Sequence, residues 1–215
     1  IVNFYGREYK VNANVLIPRQ DTEILVEEVM KLTNSESRVL DMCTGSGCII
    51  ISLAASGHTS ENGAVAIDIS DDALKVADYN KKYNNADYIK LIKSDMFSSS
   101  ECEQYKNEDN RFDVIVSNPP YIPTKDIDEL SEEVRLHDPV LALDGDTDGL
   151  KFYKAITKQS VNYLKENGYL CYEIGYNQAE DVRNIMEQCG YSGIKVIKDL
   201  AGLDRVVIGR LNNIN

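Results

Sequence analysis

The 215 residues carry a formal net charge of -12, with 43% hydrophobic and 27% charged side chains. That is enough apolar material for a sizeable core, and too acidic for a broad electrostatic footprint on nucleic acid or an anionic membrane. The longest apolar run, Cys48 to Ala55 with Ser52 inside it, is too short to span a bilayer.

Five cysteines without a CxxC pair fit a reducing cytoplasm rather than a disulfide framework. Two histidines, His58 and His137, leave little for a metal site or a His-based triad. No secretory leader is read. The chain opens at Ile1 without an initiator Met, so a piece of a longer protein is expected.

In chain order, Phe4 to Val11 reads as a hairpin with Gly6 near the turn, and Val15 to Arg19 as an extended segment. Asp21 or Thr22 is expected to cap a helix with Glu23 in its first turn and Leu25, Val29 and Leu32 on one face. Arg19, beside that cap, reads either as a solvated surface residue or as a group that helps close a site. Residues 1–20 are therefore assigned to a hairpin and linker, and 21–215 to one domain.

Arg38 to Met42 is the first core strand. Cys43-Thr44-Gly45-Ser46-Gly47 follows, then an apolar helix from Cys48 to about Ala55. Glycines there let a ligand approach the backbone and present helix N–H groups. The third glycine of a dinucleotide fingerprint would fall at Ile50 and is absent, which disfavours NAD. Asp41-x-x-x-Gly45-x-Gly47 instead resembles the first motif of S-adenosylmethionine (SAM) enzymes, with Cys43 where many relatives have glycine. Ala64 to Asp68 is the second strand. Its terminal acid reads either as a helix cap or, given the glycine loop, as an acceptor for two ribose hydroxyls; the second reading is favoured.

Ser70, Asp71 and Asp72 start the next helix, with Leu74 and Ala77 on its inner face, and Tyr88 to Lys93 forms a third strand. Asp95 is placed to hold an adenine amino group. Met96 is placed to pack on the ring, though for a lone Met core packing is the stronger reading. Ser98 to Arg111 is polar and expected as a surface excursion. Thr124 to Asp148 is acidic and irregular, the composition of a lid or substrate surface. Tyr153, Ile156 and Leu164 mark a helix, Tyr169 to Ile174 a strand, and Ala179, Val182, Met186 and Cys189 a further helix. Ile194 to Lys198 and Arg205 to Ile208 form a last strand pair. The alternation from Arg38 onward implies an α/β fold with a parallel sheet and an antiparallel edge.

The chain is organised around Phe112 to Tyr121. A β-branched run ends abruptly at Asn118-Pro119-Pro120-Tyr121, because two prolines cannot donate to a ladder and force extended backbone before them. Asn118 is thereby set at the carboxyl rim of a central strand, where open α/β sheets bind ligands. Its amide oxygen and the Pro119 carbonyl are acceptors for the two hydrogens of a planar –NH2 group, with Tyr121 available to stack on its face. This tetrapeptide resembles the catalytic motif of methyltransferases acting on planar –NH2 groups.

From Leu16 to Arg210 the chain resembles the release-factor glutamine methyltransferases (HemK/PrmC family). The likeness rests on Leu16-Ile17-Pro18-Arg19-x-Asp21-Thr22-Glu23, Asn118-Pro119-Pro120-Tyr121-Ile122, Tyr172-Glu173-Ile174-Gly175 and Asp199-Leu200-Ala201-Gly202-x-Asp204-Arg205. Departures are Cys43 for glycine, Asp138 where Glu-Pro is usual, and Asp146 where a second glycine is usual.

The resemblance implies a Rossmann-like, mostly parallel seven-stranded sheet with an antiparallel edge, plus the N-terminal hairpin. Family members carry a small helical domain ahead of that hairpin. It implies methylation of the glutamine nitrogen in a release factor's Gly-Gly-Gln tip, with SAM converted to S-adenosylhomocysteine. Carried over residue by residue, the cofactor side comprises Asp41, Cys43, Thr44, Gly45, Ser46, Gly47, Asp68, Asp95, Met96 and Asn118. The catalytic residues are Asn118, Pro119, Pro120 and Tyr121, with Arg19 added on the substrate side. A cytoplasmic monomer is expected, with a release factor as its protein partner and neither nucleic acid nor membrane. Two alternatives stand beside this: a methyltransferase for an exocyclic amine of DNA or RNA, which must flip its base, and a SAM-binding module without catalysis.

Overall fold

The computed structural model describes residues 1–212. β1 (Val2–Phe4) and β2 (Arg7–Tyr9) pair as an antiparallel hairpin. Tyr5 and Gly6 turn it, both at positive φ, the turn geometry whose twist matches that of paired strands. Seven further strands form one sheet: β3 (Val39–Met42), β4 (Ala64–Asp68), β5 (Lys90–Lys93), β6 (Phe112–Ser117), β7 (Leu164–Glu173), β8 (Tyr191–Lys198) and β9 (Asp204–Leu211). Their order is β5-β4-β3-β6-β7-β9-β8. Every pair from β5 to β7 is parallel, and β9 runs antiparallel to both its neighbours.

The helices are α1 (Gln20–Met30), α2 (Cys48–Ala55), α3 (Asp71–Tyr83), α4 (Glu132–His137), α5 (Val140–Leu143), α6 (Lys151–Ser160) and α7 (Ala179–Gln188). Strands in a sheet covered on both faces read as continuous apolar runs, and β6 is such a run. Val114 and Val116 join the core shared with Leu25, Val29, Ile50 and the hairpin's Phe4 and Tyr9. Ile115 joins the core shared with Tyr153, Ile156, Val182 and Met186. No helix among the described residues is long and apolar enough to cross a membrane.

The strand order reverses between β3 and β6, so the crevice of an open α/β sheet lies at their carboxyl ends. Ser117 Oγ donates to the Met42 carbonyl at 2.6 Å there, tying the two strand ends together.

Several expectations are corrected. Neither Asp21 nor Thr22 caps α1: Arg19 holds the N-cap in extended backbone without a capping bond, because the Thr22 hydroxyl donates to Glu173 Oε2 at 2.5 Å instead. Leu164 opens β7 rather than closing a helix, since its pairing with Phe112 starts the ladder. The third strand begins at Lys90, not Tyr88, and the Tyr88 hydroxyl donates to the Ala54 carbonyl. On α3 the buried residues are Ala73, Val76, Ala77 and Asn80, with Leu74 only half-buried. The polar stretch 98–111 is not wholly a surface excursion. Its short 3-10 turns bury Cys102 and Tyr105, and the Tyr105 ring lies 5.0 Å from that of Phe112.

Candidate active site

The loop between β3 and α2 forms one wall. Asp41 is fully buried beneath it; the Thr44 hydroxyl donates to its Oδ2 at 2.6 Å, while Oδ1 has no partner among the described residues. Cys43 sits at φ 61°, backbone that glycine adopts freely and a Cβ-bearing residue only with strain. This is the physical reason a glycine suits that position. Gly47, at φ 81°, packs against α2 and α3, and a Cβ there would meet Ile51 Cδ1 at 2.8 Å. The side chain of buried Asn80 donates to the Ser46 carbonyl at 2.9 Å and the Lys10 carbonyl at 3.0 Å, fixing this loop to the segment after the hairpin.

Burial pushes the Asp41 carboxyl up to about 7, against the opposing pull of the Thr44 hydroxyl. A carboxyl raised in the folded state favours the native form most below its ordinary range, and that advantage is lost as pH rises toward the folded value. Between about pH 5 and about pH 8 the parental protein is therefore expected to lose on the order of 1–3 kcal/mol more stability than Asp41→Asn. Urea unfolding at both pH values checks this, and parallel changes in the two proteins would contradict it.

Asp68 ends β4. The Gly45 N–H donates to its Oδ2 at 2.8 Å and the Ser70 N–H to its Oδ1 at 2.9 Å. Burial raises its carboxyl, opposed by these donors. Together with Cys43, Thr44, Gly45, Ser46, Ile69, Asp95, Met96, Asn118 and Pro120 it lines a cavity of about 280 Å³. Asp41 and Gly47 lie behind this lining, and Pro119, Tyr121 and Arg19 are likewise outside it. The fold thus gathers most of the sequence-derived residues and puts the others in supporting positions.

Those supports form one network. Glu173, the last residue of β7, is 3% exposed. Besides Thr22, the Tyr121 hydroxyl donates to it, at 3.4 Å on Oε1, and the Tyr153 hydroxyl donates to its backbone carbonyl at 3.0 Å. Asn118 Nδ2 donates to Thr22 Oγ1 at 3.4 Å. Arg205, held by Asp199 at 3.0 Å and 3.5 Å from Asp21, lies close enough to oppose the upward push of burial on the Glu173 carboxyl. The four sequence signatures therefore meet around one buried carboxylate.

The backbone of Tyr121 is clamped as well. Gln178 Nε2 donates to its carbonyl at 2.9 Å, and a Cβ on Gly149 would stand 2.4 Å from that oxygen. Asp146, where a glycine is usual, adopts φ 71°. Asp138 is a pivot: Arg19 Nη2 donates to its Oδ2 at 2.5 Å and the Ile17 N–H to its Oδ1 at 3.0 Å. This fastens the 124–148 segment over the cavity, where Leu141 and Ala142 complete the lining.

Sequence reading assigned no site role to Thr22, Glu173, Leu16 or Phe152, and gave Leu141 one only as part of the 124–148 segment. For Glu173 the available signal was a carboxylate inside an apolar strand that ends at the sheet's rim.

A methyltransferase-domain family model matches residues 33–204. A release factor glutamine methyltransferase of Thermodesulfovibrio yellowstonii is 41% identical, over 95% of this chain and 72% of its own length. The chain belongs to the release factor glutamine methyltransferase family. Another member, from Fusobacterium nucleatum, is 41% identical over 96% of the chain, which spans 57% of that relative's length. Among solved structures, a release factor-specific protein-(glutamine-N5) methyltransferase from Alicyclobacillus acidocaldarius superposes with a TM-score of 0.53 at 25% identity, covering 95% of this chain and 100% of the other. Membership gives a common setting to the Asn118 tetrapeptide and the three signatures that meet at Glu173.

Proposed function

We propose that the protein, acting as a cytoplasmic monomer, methylates the side-chain nitrogen of the glutamine in the Gly-Gly-Gln tip of a peptide-chain release factor, using SAM. One observation carries this reading: Asn118 lies on the same cavity as Asp68, Asp95 and the glycine loop.

The residues present fit SAM. Asp68 and Asp95 make the lining acidic, with Lys151 the one basic residue on it among the described residues, which suits a ligand with cationic groups and ribose hydroxyls. Each Asp68 oxygen accepts one backbone N–H and keeps lone-pair capacity for a hydroxyl. Ile69 and Met96 offer apolar surface to a flat ring, and Cys43 to Ser46 line the part nearest the backbone. Ile50 is 0% exposed, so the third glycine position of a dinucleotide site is filled by core.

When bound, SAM supplies an electrophilic methyl group. An amide nitrogen is a poor nucleophile because its lone pair is delocalised, so positioning and electrostatics must carry the rate. Asn118 Oδ1 and the Pro119 carbonyl accept the two amide hydrogens, which shifts electron density onto nitrogen; one of those hydrogens leaves as a proton after the methyl group has been transferred. Pro120 walls the pocket and Tyr121 supports it from behind. On the segment whose Leu141 lines the cavity, Leu136, Val140 and Leu141 are exposed, apolar surface suited to a protein loop.

The test is a competition. Labelled SAM is offered with a release factor beside total RNA and DNA. Label is expected in the release factor only, and is expected to vanish when the Gly-Gly-Gln glutamine is replaced. A net charge of -12 also predicts weak duplex binding even at low salt, where phosphate contacts are strongest. Label in nucleic acid alone would establish the exocyclic-amine reading instead.

A further inference from the structure

We propose that Thr22 and Glu173 are positioning residues that fix which way round the Asn118 amide faces; this rests on Asn118 being the group that receives the acceptor's –NH2. A threonine hydroxyl has one hydrogen to give and lone pairs to receive. The 2.5 Å contact with Glu173 Oε2 uses that hydrogen, because an ionised carboxylate only accepts. The hydroxyl oxygen is then an acceptor toward Asn118, and Nδ2 donates to it at 3.4 Å. Turning the amide over would set Asn118 Oδ1 against the Thr22 oxygen, acceptor against acceptor. Nδ2 is thereby committed to Thr22, and Oδ1, which accepts no hydrogen bond among the described residues, remains for the incoming amide hydrogens.

The relay is built to hold one direction. Thr22 is 2% exposed and Glu173 3%, so water does not compete for either. Glu173 is fixed at Oε1 by the Tyr121 hydroxyl and at its backbone carbonyl by the Tyr153 hydroxyl. The chemistry demands a carboxylate there. A glutamine at 173 can turn its –NH2 to Thr22, freeing the hydroxyl hydrogen to point at Asn118 and favouring the wrong amide face.

The test uses the whole chain as Thr22→Val, Thr22→Ser and Glu173→Gln. Valine keeps the volume of threonine and removes the relay, whereas serine keeps the relay and loses a methyl. Thr22→Val and Glu173→Gln are expected to lower kcat for release-factor methylation by about 10- to 100-fold, the scale for disturbing one preorganised contact. KM for the release factor and SAM affinity by calorimetry should stay within about 3-fold, a minor change on the affinity scale. Thr22→Ser should stay within about 3-fold of the parental kcat, since it keeps the same hydrogen-bond inventory.

The side-chain amide proton resonances of Asn118, read without any acceptor, should show a contact to the Thr22 side chain and shift in Thr22→Val and Glu173→Gln but little in Thr22→Ser. Should Glu173→Gln fail to fold, the Thr22 pair carries the test. A parental protein that does not methylate the release factor would sink the proposed substrate, and the resonances would still decide the relay. The relay is overturned if those resonances match in parental and Thr22→Val protein, if Thr22→Val turns over at the parental rate, or if Thr22→Ser is as slow as Thr22→Val.

Discussion

Asn118→Ala is expected to slow methyl transfer by roughly 100- to 1,000-fold, the cost of removing one preorganised electrostatic contact in a water-excluded site. Asn118 follows β6, whose residues Val114, Ile115 and Val116 are buried, and the substitution leaves that strand alone. The Pro119-Pro120 turn also remains. Removing the amide takes one donor from Thr22, whose hydroxyl still has Glu173 as a partner. The fold and most of the SAM affinity should therefore survive while turnover is lost. Single-turnover kinetics with a release factor, alongside calorimetry with S-adenosylhomocysteine, separates the two effects. Parental turnover in this variant would remove Asn118 from the mechanism.

Asp68→Ala is expected to weaken SAM by about 1–3 kcal/mol, the scale for hydrogen bonds lost from a charged acceptor. Part of that loss arises within the protein, because Asp68 also receives the Gly45 and Ser70 N–H groups and so shapes the loop that faces the ligand. Asp68→Asn separates the contributions: it keeps an oxygen for one backbone donor but no longer offers acceptors on both sides. An intermediate loss is expected for it. Calorimetry showing unchanged affinity in both variants would take Asp68 out of the site.

Much of this was legible in the sequence because its signals are local. The β-branched run ahead of Asn118, the glycine loop after β3 and the acid ending β4 each declare a strand end, and parallel strands bring their carboxyl ends to one rim. The bounds of α2 and β4 follow from composition alone. What stayed hidden depends on partners far along the chain. Thr22 looks like a helix cap until Glu173, distant in sequence, draws its hydroxyl away. Tyr121 reads as a stacking platform, and the bond of its hydroxyl to the same carboxylate is a partner its neighbours in sequence do not show. Cys102 and Tyr105 sit in a polar stretch whose composition conceals two core anchors. Arg19 taken alone read more readily as a solvated surface residue than as a group closing the site, until the buried Asp138 supplied its partner. Cys43 and Asp146 appeared as departures from a pattern, and their positive φ explains why glycine suits both places.

The most direct test of the central claim is mass spectrometry of a release factor incubated with this chain and SAM. One added methyl group is expected, located on the glutamine of the Gly-Gly-Gln tip, and absent when Asn118→Ala replaces the parental protein over the same interval. A release factor that stays unmodified while the same preparation binds SAM, or a methyl group placed on another residue, would contradict the account.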